Sequence, residues 1–153
     1  MYNYMDADHV VFDDVTDGEN RARLTAAIVT GSLITGDDYS SEGNWKAMAK
    51  RLLQNKDVLA IVQHDGKAFM PVESNTGKDA SHIFIKTIGK NVYVAVFNYG
   101  DKETNIQLAN YKELKKLSNK AYDIFHHQII NMNNEKHITI AGKDAAIYKL
   151  TNK

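Results

Sequence analysis

Apolar positions along the chain change rhythm near residue 56. Ahead of it they recur at the three- and four-residue spacing of helices; behind it they come as short runs with turn residues between them. From Gly18 to Thr30 the apolar positions are Ala22, Leu24, Ala26, Ile28 and Val29, with Asp17 before them and Gly31 after. Asp17 can accept hydrogen bonds from the free amides of a first helical turn, and Gly31 can take the left-handed conformation that ends a helix. A helix is predicted there. Leu33-Ile34-Thr35 is a short β-prone run closed by the turn-forming Gly36-Asp37-Asp38. A second helix is predicted from Asn44 to Gln54, where Trp45, Met48, Ala49, Leu52 and Leu53 line one face. Ser40 and Ser41 are its candidate caps.

After Lys56 the helical period is lost. Val58 to Val62 reads as a continuous apolar strand, followed by strands at Ile83–Ile88, Val92–Tyr99, Ile106–Leu108, Ala121–Phe125, Lys136–Ile140 and Ala145–Leu150. Gly66-Lys67, Gly89-Lys90-Asn91, Gly100-Asp101, Asn133-Asn134 and Gly142-Lys143 supply the turns. Short strands without helices between them predict an antiparallel sandwich, with Tyr111 to Leu117 forming one helical turn. The expected fold is therefore mainly β: a helix-strand-helix segment over residues 1–56, then an antiparallel β-sandwich over 57–153. No low-complexity linker separates the two, so they are expected to pack together.

Composition narrows the partners. The chain has 153 residues, 43% hydrophobic and 25% charged, the balance of a globular protein. Nineteen basic residues offset nineteen acidic ones, so there is no global attraction for nucleic acid or an anionic membrane, and neither is an expected partner. No apolar run approaches the roughly 18 residues of a membrane span. The first residues lack the basic and apolar regions of a secretory signal. With no cysteine, disulfides, thiolate nucleophiles and cysteine-bound metals are excluded.

Few residues carry recognisable chemistry. Asp13 to Gly18 superficially suggests a calcium loop, but counted from Asp13 its third position is Val15 and its twelfth Leu24, neither of which can serve. Capping of the next helix explains the segment better. His126 and His127, taken as strand residues, point to opposite faces and cannot grip one ion. His64, His82 and His137 have no ligand-spaced partner, and no metal site or cofactor is expected. No Gly-x-Ser-x-Gly elbow and no glycine-rich phosphate loop occurs. Asp6-Ala7-Asp8 would project both carboxylates to one side of an extended chain, as sugar binding, cation binding or glycoside cleavage can use; alone it is a weak signal, which an exposed turn explains in most proteins. Asp37-Asp38 is a second pair, in a polar loop.

The order of these segments resembles a known family. Asp6-Ala7-Asp8-His9-Val10-Val11, a helix, Gly31-Ser32-Leu33-Ile34-Thr35-Gly36-Asp37-Asp38-Tyr39-Ser40, a helix, and Leu52-Leu53-Gln54-Asn55-Lys56-Asp57-Val58-Leu59-Ala60-Ile61 are similar to the end of the barrel of α-galactosidases and α-N-acetylgalactosaminidases, the melibiases of glycoside hydrolase family 27. Gly142 to Leu150 resembles the last strand of the sandwich that follows that barrel. The resemblance implies a carboxy-terminal region: a helix-strand-helix remnant of a (β/α)8 barrel and then the sandwich. It implies a parent that cleaves terminal α-linked galactosides with retention, using two aspartates. It also implies that both catalytic aspartates precede the matched region, so no catalytic residue is expected in this chain. Asp8 matches the second aspartate of the family's Asp-Pro-Asp stretch and is the implied sugar contact, with Asp6 a weaker one. Ala7 stands where the family has proline and His9 where an apolar residue is usual.

A closed barrel needs about 250 residues, so residues 1–56 cannot form one. The expected partners are the remainder of the barrel, an α-galactoside-type sugar in the complete parent, and further copies of the chain. Ile28, Val29, Leu33 and Ile34 are expected to be exposed or self-associated for want of barrel neighbours. The resemblance implies a parent that is often secreted or periplasmic; the chain itself assigns no location. The alternatives are a free-standing carbohydrate-binding sandwich and a sandwich that only braces a catalytic partner. Aromatics within strand runs favour neither surface stacking nor the first alternative.

Overall fold

The computed structural model describes residues 9–72 and 80–151. Three helices open it: α1 (Asp17–Thr30), α2 (Trp45–Leu53) and α3 (Lys56–Asp65). The strands β1 (Met70–Pro71), β2 (Ile83–Ile88), β3 (Asn91–Asn98), β4 (Thr104–Gln107), β5 (Lys120–Asp123), β6 (Gln128–Asn131), β7 (His137–Ile140) and β8 (Asp144–Thr151) follow, with the short helix α4 (Lys112–Lys115) between β4 and β5. One antiparallel sheet has the order β1-β2-β3-β8-β5-β6, and β4 pairs with β7 in a second. The mainly β, antiparallel expectation holds.

The centre is the pair β3 and β8, in register over all eight residues from Asn91 opposite Thr151 to Asn98 opposite Asp144. Alternate side chains of a strand point to opposite faces. Tyr93, Ala95, Phe97, Ala145 and Ile147 therefore face the helices, where they share one buried cluster with Leu24, Ile28, Met48, Leu52, Val58 and Ile61. Val92, Val94, Val96, Ala146, Tyr148 and Leu150 face the other way, onto Leu108, Leu114, Leu117, Ile138 and Ile140. A strand buried on both sides reads as an unbroken apolar run, which is why β3 and β8 are so clear in the sequence. The Tyr148 hydroxyl is buried deeply enough to be pushed far above the ordinary tyrosine value.

Helix α1 sits close over β8. Gly18 leaves little room for a Cβ, which would lie 3.0 Å from the Asp144 carboxyl carbon. One turn on, Arg21 donates from Nε (3.0 Å) and Nη2 (2.6 Å) to the two oxygens of Asp144. This fork joins the helical layer to the sheet where both side chains are nearly covered, 14% and 11% exposed. The predicted packing of the two parts is thus direct.

Several expectations are corrected. Val58–Val62 is helix, not strand: Asn55 accepts from the Asp57 and Val58 amides, Val58 and Ile61 turn inward, and Gly66 ends α3 with φ of 63°. A run of five apolar residues has no period with which to tell the two apart. Thr16, not Asp17, caps α1, in a box where the Glu19 amide donates to the Thr16 hydroxyl and the Thr16 amide to Glu19. Gly31 ends α1 left-handed, as expected. Ser40 and Ser41 do not cap α2; the Trp45 amide donates to Asp14 Oδ1 instead, at 2.8 Å. Leu33–Thr35 makes only a single parallel bridge, Thr35 with Val10. Strands β1 and β6 lie in segments with no apolar alternation. Ile28 and Val29 are buried within the chain, because α1 is sandwiched between β8 and the other helices; of the four residues expected outside, Ile34 is exposed and Leu33 half-buried.

Removing one partner of a covered ion pair strands the other charge. Arg21→Met is therefore expected to lower the unfolding free energy by about 3 kcal/mol, the lower end of the range for buried pairs because both groups keep some solvent. Arg21→Met with Asp144→Leu should recover most of it. Urea unfolding measures both; a double variant no more stable than the single would remove the fork as the tie between layers.

Candidate functional site

The Val10 and Thr35 segments run in the same direction, with the Val10 amide donating to the Ile34 carbonyl at 2.8 Å. Parallel neighbours need a crossover between them, here α1. Past their ends, residues 12–16 and 36–45 come together in an acidic loop cluster. Crevices at the carboxyl ends of parallel strands are the usual ligand sites of α/β sheets.

Most of these carboxylates hold backbone. The Phe12 amide donates to Asp37 Oδ1 at 3.0 Å. Asp14 Oδ1 takes the Trp45 amide, and Asp13 Oδ1 takes the Asp14 amide. Asn20 bonds the Asp13 backbone in both directions. Asp38 Oδ1 accepts from the Ser40 amide and hydroxyl, at 2.9 and 2.6 Å. The Tyr39 ring tilts over Trp45, with centroids 5.3 Å apart. Asp37 Oδ2 differs: it is buried, and no group among the described residues donates to it. That oxygen is a buried acceptor available to a hydroxyl or another donor.

Asp6 and Asp8, the sequence-predicted sugar contacts, lie outside the described residues. His9, next in the chain, packs its ring against Gly36, where a Cβ would fall 2.6 Å from the imidazole. The structure thus brings the Asp37-Asp38 loop up to the segment that follows Asp8, a neighbourhood invisible in a separation of nearly thirty residues. No calcium-like arrangement forms at Asp13 to Gly18, and among the described residues no three His, Asp or Glu side chains are grouped to hold a metal.

The histidine pair also differs from expectation. His126 and His127 occupy the turn between β5 and β6, both exposed, with His127 at φ of 53°. His126 Nδ1 lies 2.9 Å from Asp123 Oδ2, while His127 Nδ1 lies 3.0 Å from the Tyr122 hydroxyl. Tyr122 also donates to Asp57 of α3, at 3.3 Å. Partial burial and then the Asp57 charge raise the Tyr122 hydroxyl above the ordinary tyrosine value. Sequence reasoning missed this Asp57–Tyr122–His127 contact because it joins α3 to a hairpin.

Solved structures share this fold. α-Galactosidase I from Mortierella vinacea superposes with a TM-score of 0.66 at 19% identity, over 91% of this chain and 36% of that one. A glycoside hydrolase family 27 β-L-arabinopyranosidase from Geobacillus stearothermophilus, in complex with arabinose, gives 0.69 at 19%, over 97% and 37%. The α-galactosidase of Saccharomyces cerevisiae gives 0.64 at 16%, over 95% and 46%. The fold is that of the carboxy-terminal region of these glycosidases. The chain spans less than half the length of each. No protein-family profile matches the sequence, and neither does any curated protein.

Asp38 is held below the ordinary carboxylate value, first by the Ser40 hydroxyl and then by the Ser40 amide. A lowered folded-state value means that the loop contact is complete above the unfolded value of 3.8 and is lost as pH falls through the folded one. Ser40→Ala should therefore move the Asp38 titration upward. Carboxyl carbon shifts followed by NMR read it; an unmoved midpoint would discount the Ser40 hydroxyl.

Proposed function

We propose that the chain is the carboxy-terminal part of a retaining glycoside hydrolase acting on terminal α-galactosides or related sugars, and that it is inactive alone. The observation that carries this is the parallel Val10–Thr35 bridge with α1 behind it. Parallel strands occur almost only in sheets covered on both faces. Here the inner face is covered by helices, but Val11 is 46% and Ile34 49% exposed on the outside, and no further strand joins the pair among the described residues. Such a pair suits the last strands of a barrel completed by other polypeptide. The similarity to enzymes more than twice as long supports the same reading.

On this reading residues 1–56 close the barrel and residues 57–153 form the sandwich that braces it through α1 and β8. The catalytic aspartates come from the remainder of the barrel. Asp8, with Asp6 behind it, contacts the sugar beside the Asp37 loop, and one carboxylate forms a glycosyl-enzyme while its partner alternates between acid and base. Without barrel partners, the Val11 and Ile34 edge drives self-association.

The purified chain is expected to release no nitrophenol from p-nitrophenyl α-galactoside, and to scatter light as species heavier than 17.2 kDa. Co-expression with the polypeptide encoded upstream in the same gene should give hydrolysis, with the α-anomer as the first product seen by NMR. Turnover by the chain alone would sink the claim of inactivity. Absence of a barrel-sized upstream segment, or a complete protein inert on α-galactoside, α-N-acetylgalactosaminide and β-L-arabinopyranoside, would sink the glycosidase reading.

A further inference from the structure

The helical layer does not reach the far edge of the large sheet. Register places Tyr93, Lys149, Tyr122 and Ile129 side by side on β3, β8, β5 and β6, all on the face that the helices cover elsewhere. Tyr93 is buried beneath the helices. Beyond it the cover ends at Asp57 in the first turn of α3, Tyr122 is half-buried, and Ile129 is 67% exposed. A second row runs parallel to the first on the same face, from Asn91 through Thr151 to Lys120. Lys149, Tyr122 and Ile129 of the first row, the second row, Ser118 and Asp57 line a groove of about 480 Å³, within the size range of small-ligand sites.

The lining has two characters. Tyr122 and Ile129 give an apolar floor across two adjacent strands. Around it stand an acceptor-only carboxylate (Asp57), donor-only ammonium groups (Lys149 and Lys120), an amide (Asn91) and two hydroxyls (Ser118 and Thr151). Lys149 is half-buried and makes no ion pair among the described residues, so its donors are left for something else. An anion entering here meets Asp57, and a cation meets both lysines. A fatty chain leaves the polar rim unsatisfied. A neutral polyol with alternating C–H and O–H faces satisfies both characters at once: its C–H face lies on Tyr122 and Ile129 while its hydroxyls bond the rim. From this we infer that the β5–β6 edge of the sandwich is a binding groove for neutral carbohydrate, of a size for two sugar rings. Asp57, already held by Tyr122, accepts from the sugar, and Lys149 donates to it. The groove lies in the sandwich, apart from the Val10–Thr35 strand pair, so the inference stands or falls independently of the barrel-completion reading.

The full chain by itself tests it. Titrating ¹⁵N-labelled protein with melibiose and, separately, cellobiose should move the amides of Lys120, Tyr122, Ile129 and Thr151 saturably, with a dissociation constant on the order of 1 mM for so open a site. Ile129→Asp changes a side chain that is mostly in solvent and leaves the core intact. It should weaken binding by about tenfold or more while the rest of the spectrum is unchanged, a loss of about 1.4 kcal/mol. Lys149→Met, which keeps the aliphatic stem, should weaken binding without moving the Ile129 amide in the free protein. Saturable shifts confined to the acidic loop of residues 36–45, binding of glucose 6-phosphate but of neither neutral disaccharide, or no shift with any of them would each overturn the assignment. So would dimerisation through β6 that covers Ile129.

Discussion

Everything in this fold depends on the need of two central strands to be covered on both faces. β3 and β8 carry apolar side chains at nearly every position, and their register puts small residues where cover must come close: Ala95 and Ala145 face the helices, beside Phe97 and Ile147. The other face is closed by β4, β7 and the α4 segment. Gly18, with no side chain, eases the close approach of α1 to the sheet, and Arg21 and Asp144 join the two with a forked, nearly covered ion pair. A pair of this kind adds little net stability over an apolar replacement, yet costs several kcal/mol to break from one side. Its effect is therefore to set where the helix sits.

That constraint explains which parts were legible in the sequence. β3 and β8 could be read almost to the residue, since burial on both faces leaves a largely apolar run, and β2 could be read from its β-branched and aromatic residues although Thr87 is exposed. The ends of α1 and α2 were legible to within a residue or so, although the caps were misassigned. Asp14 caps a helix that starts thirty-one residues later, a tertiary contact that local capping rules cannot anticipate. Val58–Val62 failed because a short apolar run has no period; the signal available was local, in Asn55 ahead of it and Gly66 behind. β6 failed because an edge strand with one exposed face and a polar neighbourhood carries no burial pattern.

The acidic loop cluster was legible only as composition. The sequence shows four aspartates in two pairs. Asp13, Asp14 and Asp38 all hold backbone, but Asp13 and Asp14 do not cap the helix that follows them: Thr16 caps α1 and Asp14 caps α2. Asp37 is the exception. One of its oxygens ties the Phe12 amide across the strand pair while the other is buried without a donor among the described residues. Buried polar atoms are nearly always satisfied. A buried acceptor with no donor among the described residues therefore stands out at the end of the parallel strand pair.

Two surfaces of the molecule are thus unfinished in different ways. At the strand pair the deficit is of backbone and apolar cover: Val11 and Ile34 lie outward where a parallel sheet normally continues, and the proposed barrel completion would supply both. At the β5–β6 edge the backbone of β5 is already paired on both sides and the floor is half polar, with an ammonium group that has no carboxylate partner among the described residues. A protein strand added there would pair with β6 but leave Lys149 and Asp57 facing an apolar or mismatched surface, whereas a small hydroxyl-rich molecule meets them one by one. On the proposed function the two surfaces lie on different parts of one scaffold, Val11 and Ile34 at the strand pair and Ile129 and Lys149 at the far edge of the sheet, with Asp57 of α3 linking the groove to the helical layer through Tyr122.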